Sequence, residues 1–265
     1  MGQQVAGRPE ELEPPLTAAV IAPVWALVYG AGVLLLNVVL QVGSRSEAVL
    51  APLRALLSDV AAGGSARALA VAVLSAAIAV GSYALMLVPA LAVAVAAHRH
   101  GVRFAEAVGL RRFGVGRTLW LAAAVVVGGF AATAVYVSVA AAFGIAVQGN
   151  TAGLVSAFGA GPLELAIVFV LAGIVAPFVE EITFRGIVFP SLRAAWGTTP
   201  ALLVSGVIFG VVHLQPTIAL PLALIGIALA LVFMRTRSLW SAIIAHCAYN
   251  TVSLALAFML APQVR

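Results

Sequence analysis

Charged side chains are scarce in this sequence, and lysine is missing altogether. Asp, Glu, Lys and Arg make up 9% of the 265 residues, and all 14 basic residues are arginine. Because a soluble domain carries about 25% charged residues, the composition excludes an ordinary soluble protein. The single cysteine, Cys247, excludes a disulfide within the chain. Arginine without lysine, together with abundant Ala, Val and Gly, is typical of a GC-rich genome and indicates a bacterial protein.

Hydrophobic residues dominate instead, at 63% of the chain, and the mean hydropathy is +1.15. The long apolar runs are rich in Ala, Leu and Val, and none alternates in the way of a transmembrane β-strand. A helix that spans lipid satisfies its backbone hydrogen bonds internally. The sequence therefore predicts an all-α fold, a polytopic transmembrane helical bundle of about seven spans. The predicted spans are residues 16–42, 68–97, 118–147, 163–189, 201–214, 217–234 and 239–260.

The distribution of arginine predicts how the bundle is oriented. Loops 98–117, 190–199 and 235–238 contain arginine, whereas the connectors 148–162 and 214–217 contain none. Because short cytoplasmic loops are enriched in basic residues, we expect a cytoplasmic N-terminus and a location in the bacterial cytoplasmic (inner) membrane. Arginines in cytoplasmic loops account for the net charge of +5, so no nucleic-acid partner is expected. The expected surroundings of the apolar spans are the lipid bilayer.

The loop 43–67 is an exception, because it is predicted to be external yet contains Arg45, Arg54 and Arg67. A re-entrant or eighth segment there would explain the exception, so the prediction is seven to eight spans. The first 15 residues lack the basic region of a signal peptide, and we expect the first span to be retained.

Three charged residues interrupt the apolar run 165–189 of the fourth predicted span: Glu180, Glu181 and Arg185. A charge near the bilayer centre costs about 2.5–3.5 kcal/mol even on the gentler scales, so these residues need partners or a cavity. Residues four apart lie on one helix face, which predicts an ion pair between Glu181 and Arg185. Adjacent residues diverge by about 100°, so Glu180 is left without a local partner.

Two later spans add His213, His246 and Asn250. At 1.5 Å per residue, these side chains and Glu180 lie roughly 12 to 20 Å from the cytoplasmic helix ends. We therefore expect them to face one membrane-embedded polar cavity. A carboxylate and a histidine in a desolvated cavity can hold and deprotonate a water molecule. A second histidine and an amide can donate hydrogen bonds to a developing oxyanion, so the set fits hydrolysis of a carbonyl compound.

Three sequence motifs follow one another on successive predicted helices. They are Glu180-Glu181-x-x-x-Arg185, Phe209-x-x-x-His213 and His246-x-x-x-Asn250. Their order resembles that of a known family, the CPBP intramembrane endopeptidases, which comprises the type II CAAX prenyl proteases and the bacteriocin-processing (ABI) proteins. The resemblance covers about residues 163–257, and the short sequences Phe-Arg-Gly at 184–186 and Ser-Leu-Trp at 238–240 also match.

The resemblance implies an endopeptidase whose cavity opens toward the cytoplasm and whose substrate is a peptide or membrane protein. It implies a catalytic core over residues 161–262, preceded by an N-terminal transmembrane region, residues 1–160, with three spans and the basic loop 98–117. The implied roles are water activation by Glu180 and His213, oxyanion stabilisation by His246 and Asn250, and structural support by Glu181, Arg185 and Phe209.

No cofactor is expected, although zinc would be bound by Glu180, His213 and His246 if these side chains converged. The metal-free mechanism is favoured because no carboxylate that would support either histidine is evident in the sequence.

Other interpretations of the same residues stay open. The Glu/His cluster could be a proton or metal relay of a transporter, or the chain could be a non-catalytic scaffold or self-immunity protein with the same fold. His213 could cap a helix, and His246 with Asn250 could join helices by hydrogen bonds. The glycines of this half predict close helix packing rather than chemistry: Gly186, Gly206 and Gly210.

Overall fold

The computed structural model describes residues 46–57, 66–147 and 162–260. Within these ranges the chain is helical and contains no strand. In the described part of the chain, which is all-helical, five helices are long and apolar enough to cross a membrane, which confirms a multi-pass membrane protein. They are Leu69–Arg99, Val115–Ala142, Leu163–Trp196, Pro216–Thr236 and Leu239–Met259.

The helices are numbered here in chain order. The first half contains α1 (Glu47–Leu57), α2 (Ala66–Met86), α3 (Val88–Arg99), α4 (Phe104–Ala107) and α5 (Val115–Ala142). The second half contains α6 (Pro162–Val170), α7 (Ala176–Thr183), α8 (Phe189–Trp196), α9 (Thr198–Val211), α10 (Ala219–Thr236) and α11 (Leu239–Leu260).

The observed helices differ in detail from the predicted spans. The second predicted span is divided into α2 and α3 at Leu87, two residues before Pro89. The fifth is α9, whose 14 residues are about 21 Å long and therefore shorter than the hydrocarbon core of a bilayer. The first predicted span, residues 16–42, lies outside the described residues, so the count of seven to eight spans stays a prediction.

The span Leu163–Trp196 is one continuous helix with two wider, π-helical turns, Leu171–Val175 and Phe184–Val188. Each turn contains a glycine four residues before a proline: Gly173 before Pro177 and Gly186 before Pro190. A proline ring collides with the carbonyl four residues earlier and donates no hydrogen bond, and a wider turn removes this conflict. The two turns flank α7, the helix that holds both glutamates.

Glycines let α9 and α10 approach closely, as the sequence predicts. A Cβ at Gly206 would lie 2.9 Å from the carbonyl oxygen of Ala223, and Gly226 of α10 lies opposite, with its own Cβ position 3.2 Å from the Cα of Gly206. The largest buried cluster packs beside this crossing and joins α2, the glutamate-bearing span, α9 and α10. Its large members are Met86, Phe184, Phe189, Leu192 and Phe209.

We predict that Gly210→Ala destabilises the protein, because its Cβ would collide with the backbone carbonyl oxygen of Ala219. Backbone cannot move aside as a flexible side chain can, so the expected loss is about 1–3 kcal/mol or more in the free energy of unfolding. Gly128→Ala in α5 is the matched control, because a Cβ there would contact nothing within 4 Å. Thermal unfolding in detergent measures both, and equal melting temperatures would contradict the prediction.

The first-half helices pack directly on the second half. The hydroxyl of Thr183 donates to the carbonyl oxygen of Met86 at 3.1 Å, and the buried hydroxyls of Thr118 and Ser241 lie 2.8 Å apart. Helix α5 also packs along α10 and α11. The residues on both sides of position 160 therefore form one packed bundle, and the division there into two functional regions stays a prediction.

Candidate active site

Glu181 is completely buried and contacts two basic side chains, those of Arg185 and His246. Its Oε1 accepts a hydrogen bond from Nη1 of Arg185 at 2.7 Å and another from Nδ1 of His246 at 2.9 Å. The ion pair with Arg185 is the one that the four-residue spacing predicts. The bond to His246 is new, because it joins α7 to α11 across the bundle.

Arg185 attaches the glutamate-bearing span to α10. Its Nη2 donates to the carbonyl oxygen of Gly226 at 2.7 Å, and its guanidinium lies 4.6 Å from the centroid of the Phe209 ring. The arginine is buried, so an uncompensated charge here would be expensive. The hydrogen bonds and the aromatic face compensate it, which makes Arg185 the centre of a three-helix contact.

His246 lies between both glutamates. Because the carboxylate of Glu181 accepts the hydrogen bond, the Nδ1 of His246 is the donor. The Nε2 on the other side of the ring lies 3.8 Å from Oε2 of Glu180, too far for a direct hydrogen bond but close enough for one bound atom to touch both. The imidazole of His246 thus lies between the carboxylates of Glu180 and Glu181, although these adjacent side chains leave α7 in directions about 100° apart.

His213 lies in the turn that follows α9 and lines the same cavity. Its Nδ1 donates to the carbonyl oxygen of Phe209 at 2.7 Å, since a carbonyl oxygen only accepts. A neutral ring in this tautomer keeps a free lone pair on Nε2, which is the state required of a base. The buried Phe209 ring separates the two histidines, with ring centroids 5.1 Å from His213 and 5.7 Å from His246.

Asn250 follows His246 by one turn of α11, and its Nδ2 donates to the carbonyl oxygen of Ala172 at 2.9 Å. Ala172 lies in the first π-helical turn, so this bond links α11 to the widened part of the glutamate-bearing span. The second hydrogen of the amide nitrogen and the Oδ1 atom stay available for a ligand.

A cavity of about 580 Å³ brings the predicted residues together. It is lined by Glu180, Phe209, His213, His246 and Asn250, whereas Glu181 and Arg185 lie behind this wall. The remaining lining is mostly apolar, and the size is typical of a ligand pocket.

Sequence reasoning missed the part of the cavity wall that comes from the first half. Tyr83 of α2 and Phe130 and Thr133 of α5 line the cavity, and Tyr249 of α11, in the second half, was missed as well. Their only sequence signal is weak, because single aromatic or hydroxyl residues are ordinary within apolar spans. Which helix faces the motifs is decided by packing.

The histidine surroundings correct one expectation about metal binding. The sequence shows no carboxylate that would support a histidine, but Glu181 bonds to Nδ1 of His246 and is such a group. Nevertheless, no three His, Cys, Asp or Glu side chains in the described part of the chain lie close enough together to hold a metal ion. Glu180, His213 and His246 thus share a cavity without forming a ready ligand set.

Comparison with known proteins finds a matching family model and a similar curated protein. The family model described as "Type II CAAX prenyl endopeptidase Rce1-like" matches residues 162–252. Over 102 residues the chain is 35% identical to "Putative membrane peptidase YdiL" of Bacillus subtilis (strain 168). The match covers 38% of this chain and 40% of that protein, so less than half of the relative is spanned. No solved structure matches the chain.

Proposed function

We propose that this chain is an intramembrane endopeptidase of the CPBP family that cleaves peptide bonds near the cytoplasmic membrane face. The Rce1-like match over residues 162–252 and the similarity to a putative membrane peptidase support the proposal. The observation that carries the proposal is the convergence of Glu180, His213, His246 and Asn250 on one cavity from α7, the turn after α9, and α11. The proposed substrate is a peptide or membrane protein, and a bacterial chain need not meet prenylated CAAX proteins.

Glu180 and His213 are proposed to activate the attacking water. The Oε2 atom of Glu180 is buried and has no hydrogen-bond partner among the described residues. An unsatisfied buried oxygen is costly, so a bound water that donates to it is stabilised. His213 lines the same cavity, and a neutral ring whose Nδ1 donates to Phe209 can accept or pass on, through Nε2, the proton that the water loses.

His246 and Asn250 are proposed to donate hydrogen bonds to the oxyanion that forms when water attacks the peptide carbonyl. Glu181 holds the His246 ring through Nδ1, so Nε2 is directed to the side where Glu180 lies. Because Nδ1 donates to Glu181, Nε2 can donate only when the ring carries a second proton. Arg185, Glu181, His246 and Glu180 then alternate in charge along one chain of contacts.

The membrane arrangement extends the same proposal. Five long helices, the short α9 and residues 16–42 would make seven spans around a partly polar cavity that opens to the cytoplasm. Exposed arginines and tryptophans support this orientation, because they cluster at the ends of helices assigned to the cytoplasmic side. Examples are Arg112, Trp120, Trp196, Arg237 and Trp240.

The proposal is tested with purified protein in liposomes and a panel of fluorogenic peptides tethered to the membrane. We expect cleavage of some peptides, and we expect it to persist after treatment with a strong chelator. Loss of cleavage that zinc restores would contradict the metal-free mechanism but not the peptidase. Absence of cleavage with ion-dependent flux would favour a transporter. A deletion phenotype rescued by Glu180→Gln, His213→Ala would favour a scaffold or self-immunity protein.

A further inference from the structure

Helix α5 contributes Phe130 and Thr133 to the cavity wall and packs on α10 and α11, and it lies outside the residues that match the family model. Gly129 makes this possible, since a Cβ there would lie 2.7 Å from the ring of Tyr249. The next residue, Phe130, packs on Tyr249 with ring centroids 5.3 Å apart. Gly129 thus lets α5 pack closely against α11 at Tyr249. Tyr249 lies between His246 and Asn250 in the sequence, so this contact adjoins the proposed reaction centre.

Thr133 lies one turn after Gly129, on the same face of α5, and lines the cavity. Its hydroxyl oxygen is buried and has no hydrogen-bond partner among the described residues. A threonine hydroxyl within a helix ordinarily bonds to a carbonyl of the preceding turn, so the missing bond is unusual. Leaving such a group unpaired is unfavourable, and a ligand that pairs with it would gain affinity.

The hydroxyl also distinguishes between two kinds of apolar occupant. A lipid acyl chain offers neither a donor nor an acceptor, so it would leave Thr133 unpaired. A peptide offers a backbone N–H and C=O at every residue together with an apolar side chain. The cavity wall also includes the apolar side chains of Phe130, Ile225 and Leu256, together with Ser253.

We propose that Phe130 and Thr133 form a substrate subsite beside the reaction centre. The Thr133 hydroxyl hydrogen-bonds the backbone of the bound peptide, and Phe130 packs against the apolar side chain that flanks the cleaved bond. Both residues are therefore positioning and specificity residues and take no part in bond cleavage. This inference rests on the proposed peptidase function.

The first test compares Thr133→Val with Thr133→Ser on the best-cleaved peptide of the panel. Valine keeps the shape and removes the hydroxyl, so kcat/KM should fall about three- to tenfold, mainly through a higher KM. Serine keeps the hydroxyl and should stay near wild type. Peptide affinity is also measured with each variant in the Glu180→Gln background. The Kd relative to that of Glu180→Gln alone should change by the same factor as the KM of the corresponding single variant relative to wild type.

The second test uses Phe130→Leu and two peptides that differ only in a Leu or Trp beside the cleaved bond. The smaller wall should raise the relative kcat/KM for the Trp peptide at least threefold. An unchanged ratio, together with a Thr133→Val variant equal to wild type in cleavage and binding, would overturn the subsite. If Thr133→Val lowers the melting temperature, its kinetics do not count for or against the subsite. The change in the Trp-to-Leu ratio of kcat/KM in Phe130→Leu then decides whether the subsite exists. A wild type that cleaves no peptide would contradict the peptidase function itself.

Discussion

Glu180→Gln is expected to lower kcat/KM for a membrane-tethered peptide by about 10²- to 10⁴-fold, the range associated with general-base catalysis. The amide has the same shape but cannot take a proton from water. Its oxygen also lacks the negative charge that the glutamate places 3.8 Å from Nε2 of His246. The rate is measured in liposomes at saturating and subsaturating peptide, and the loss should appear mainly in kcat because the water is activated in the transition state.

Glu164→Gln is the matched control for this experiment. Glu164 lies in the same long span and is also buried, but it does not line the cavity. Its substitution should leave the kinetic constants unchanged, while Glu180→Gln should still bind the uncleaved peptide. Cleavage by Glu180→Gln at the wild-type rate would remove Glu180 from the mechanism.

Arg185→Met is expected to destabilise the protein by about 3–5 kcal/mol, because removing one partner of a buried ion pair leaves an uncompensated charge. Methionine keeps much of the side-chain length, so the effect reports mainly the lost charge and hydrogen bonds. Arg185 and Glu181 have side chains only 2% and 0% exposed, and their atoms lie 2.7 Å apart. The free energy of unfolding in detergent measures the loss.

The chain contains its own control in a second ion pair of similar length. Arg103 and Glu106 lie 2.6 Å apart, but their side chains are 82% and 52% exposed. Exposed pairs contribute about 0–1 kcal/mol, so Arg103→Met should change stability little. Adding Glu181→Gln to Arg185→Met should restore part of the loss, because the unpaired negative charge is then gone as well. Equal effects of Arg185→Met and Arg103→Met would show that burial of the Arg185 pair has no energetic importance.

The Glu181–Arg185 pair was predictable because it depends only on helix periodicity. The bond between Glu181 and His246 was not, because it joins residues 65 positions apart. Periodicity assigns the two adjacent glutamates to divergent directions and so suggests that only Glu180 faces a histidine. In the structure a single imidazole contacts both, because its two nitrogens lie on opposite sides of the ring.

The π-helical turns were also not predicted, although the signal is present as two Gly-x-x-x-Pro sequences. Hydropathy reports only that a helix is apolar and long. Where the helix widens depends on how a proline ring meets the carbonyl of the preceding turn. Each widened turn adjoins α7, and one contains Ala172, the partner of Asn250.

The sequence by itself determined that this protein is a multi-pass helical membrane protein with Glu180, Glu181, Arg185, His213, His246 and Asn250 inside apolar spans. Composition and helix periodicity are sufficient for that, because lipid admits few backbone structures and few unpaired charges. Only the tertiary structure decided that Glu181 serves His246 as well as Arg185, and that α5 places Phe130 and Thr133 in the cavity wall. These contacts depend on which helix faces belong together, and that choice is made by packing between distant segments.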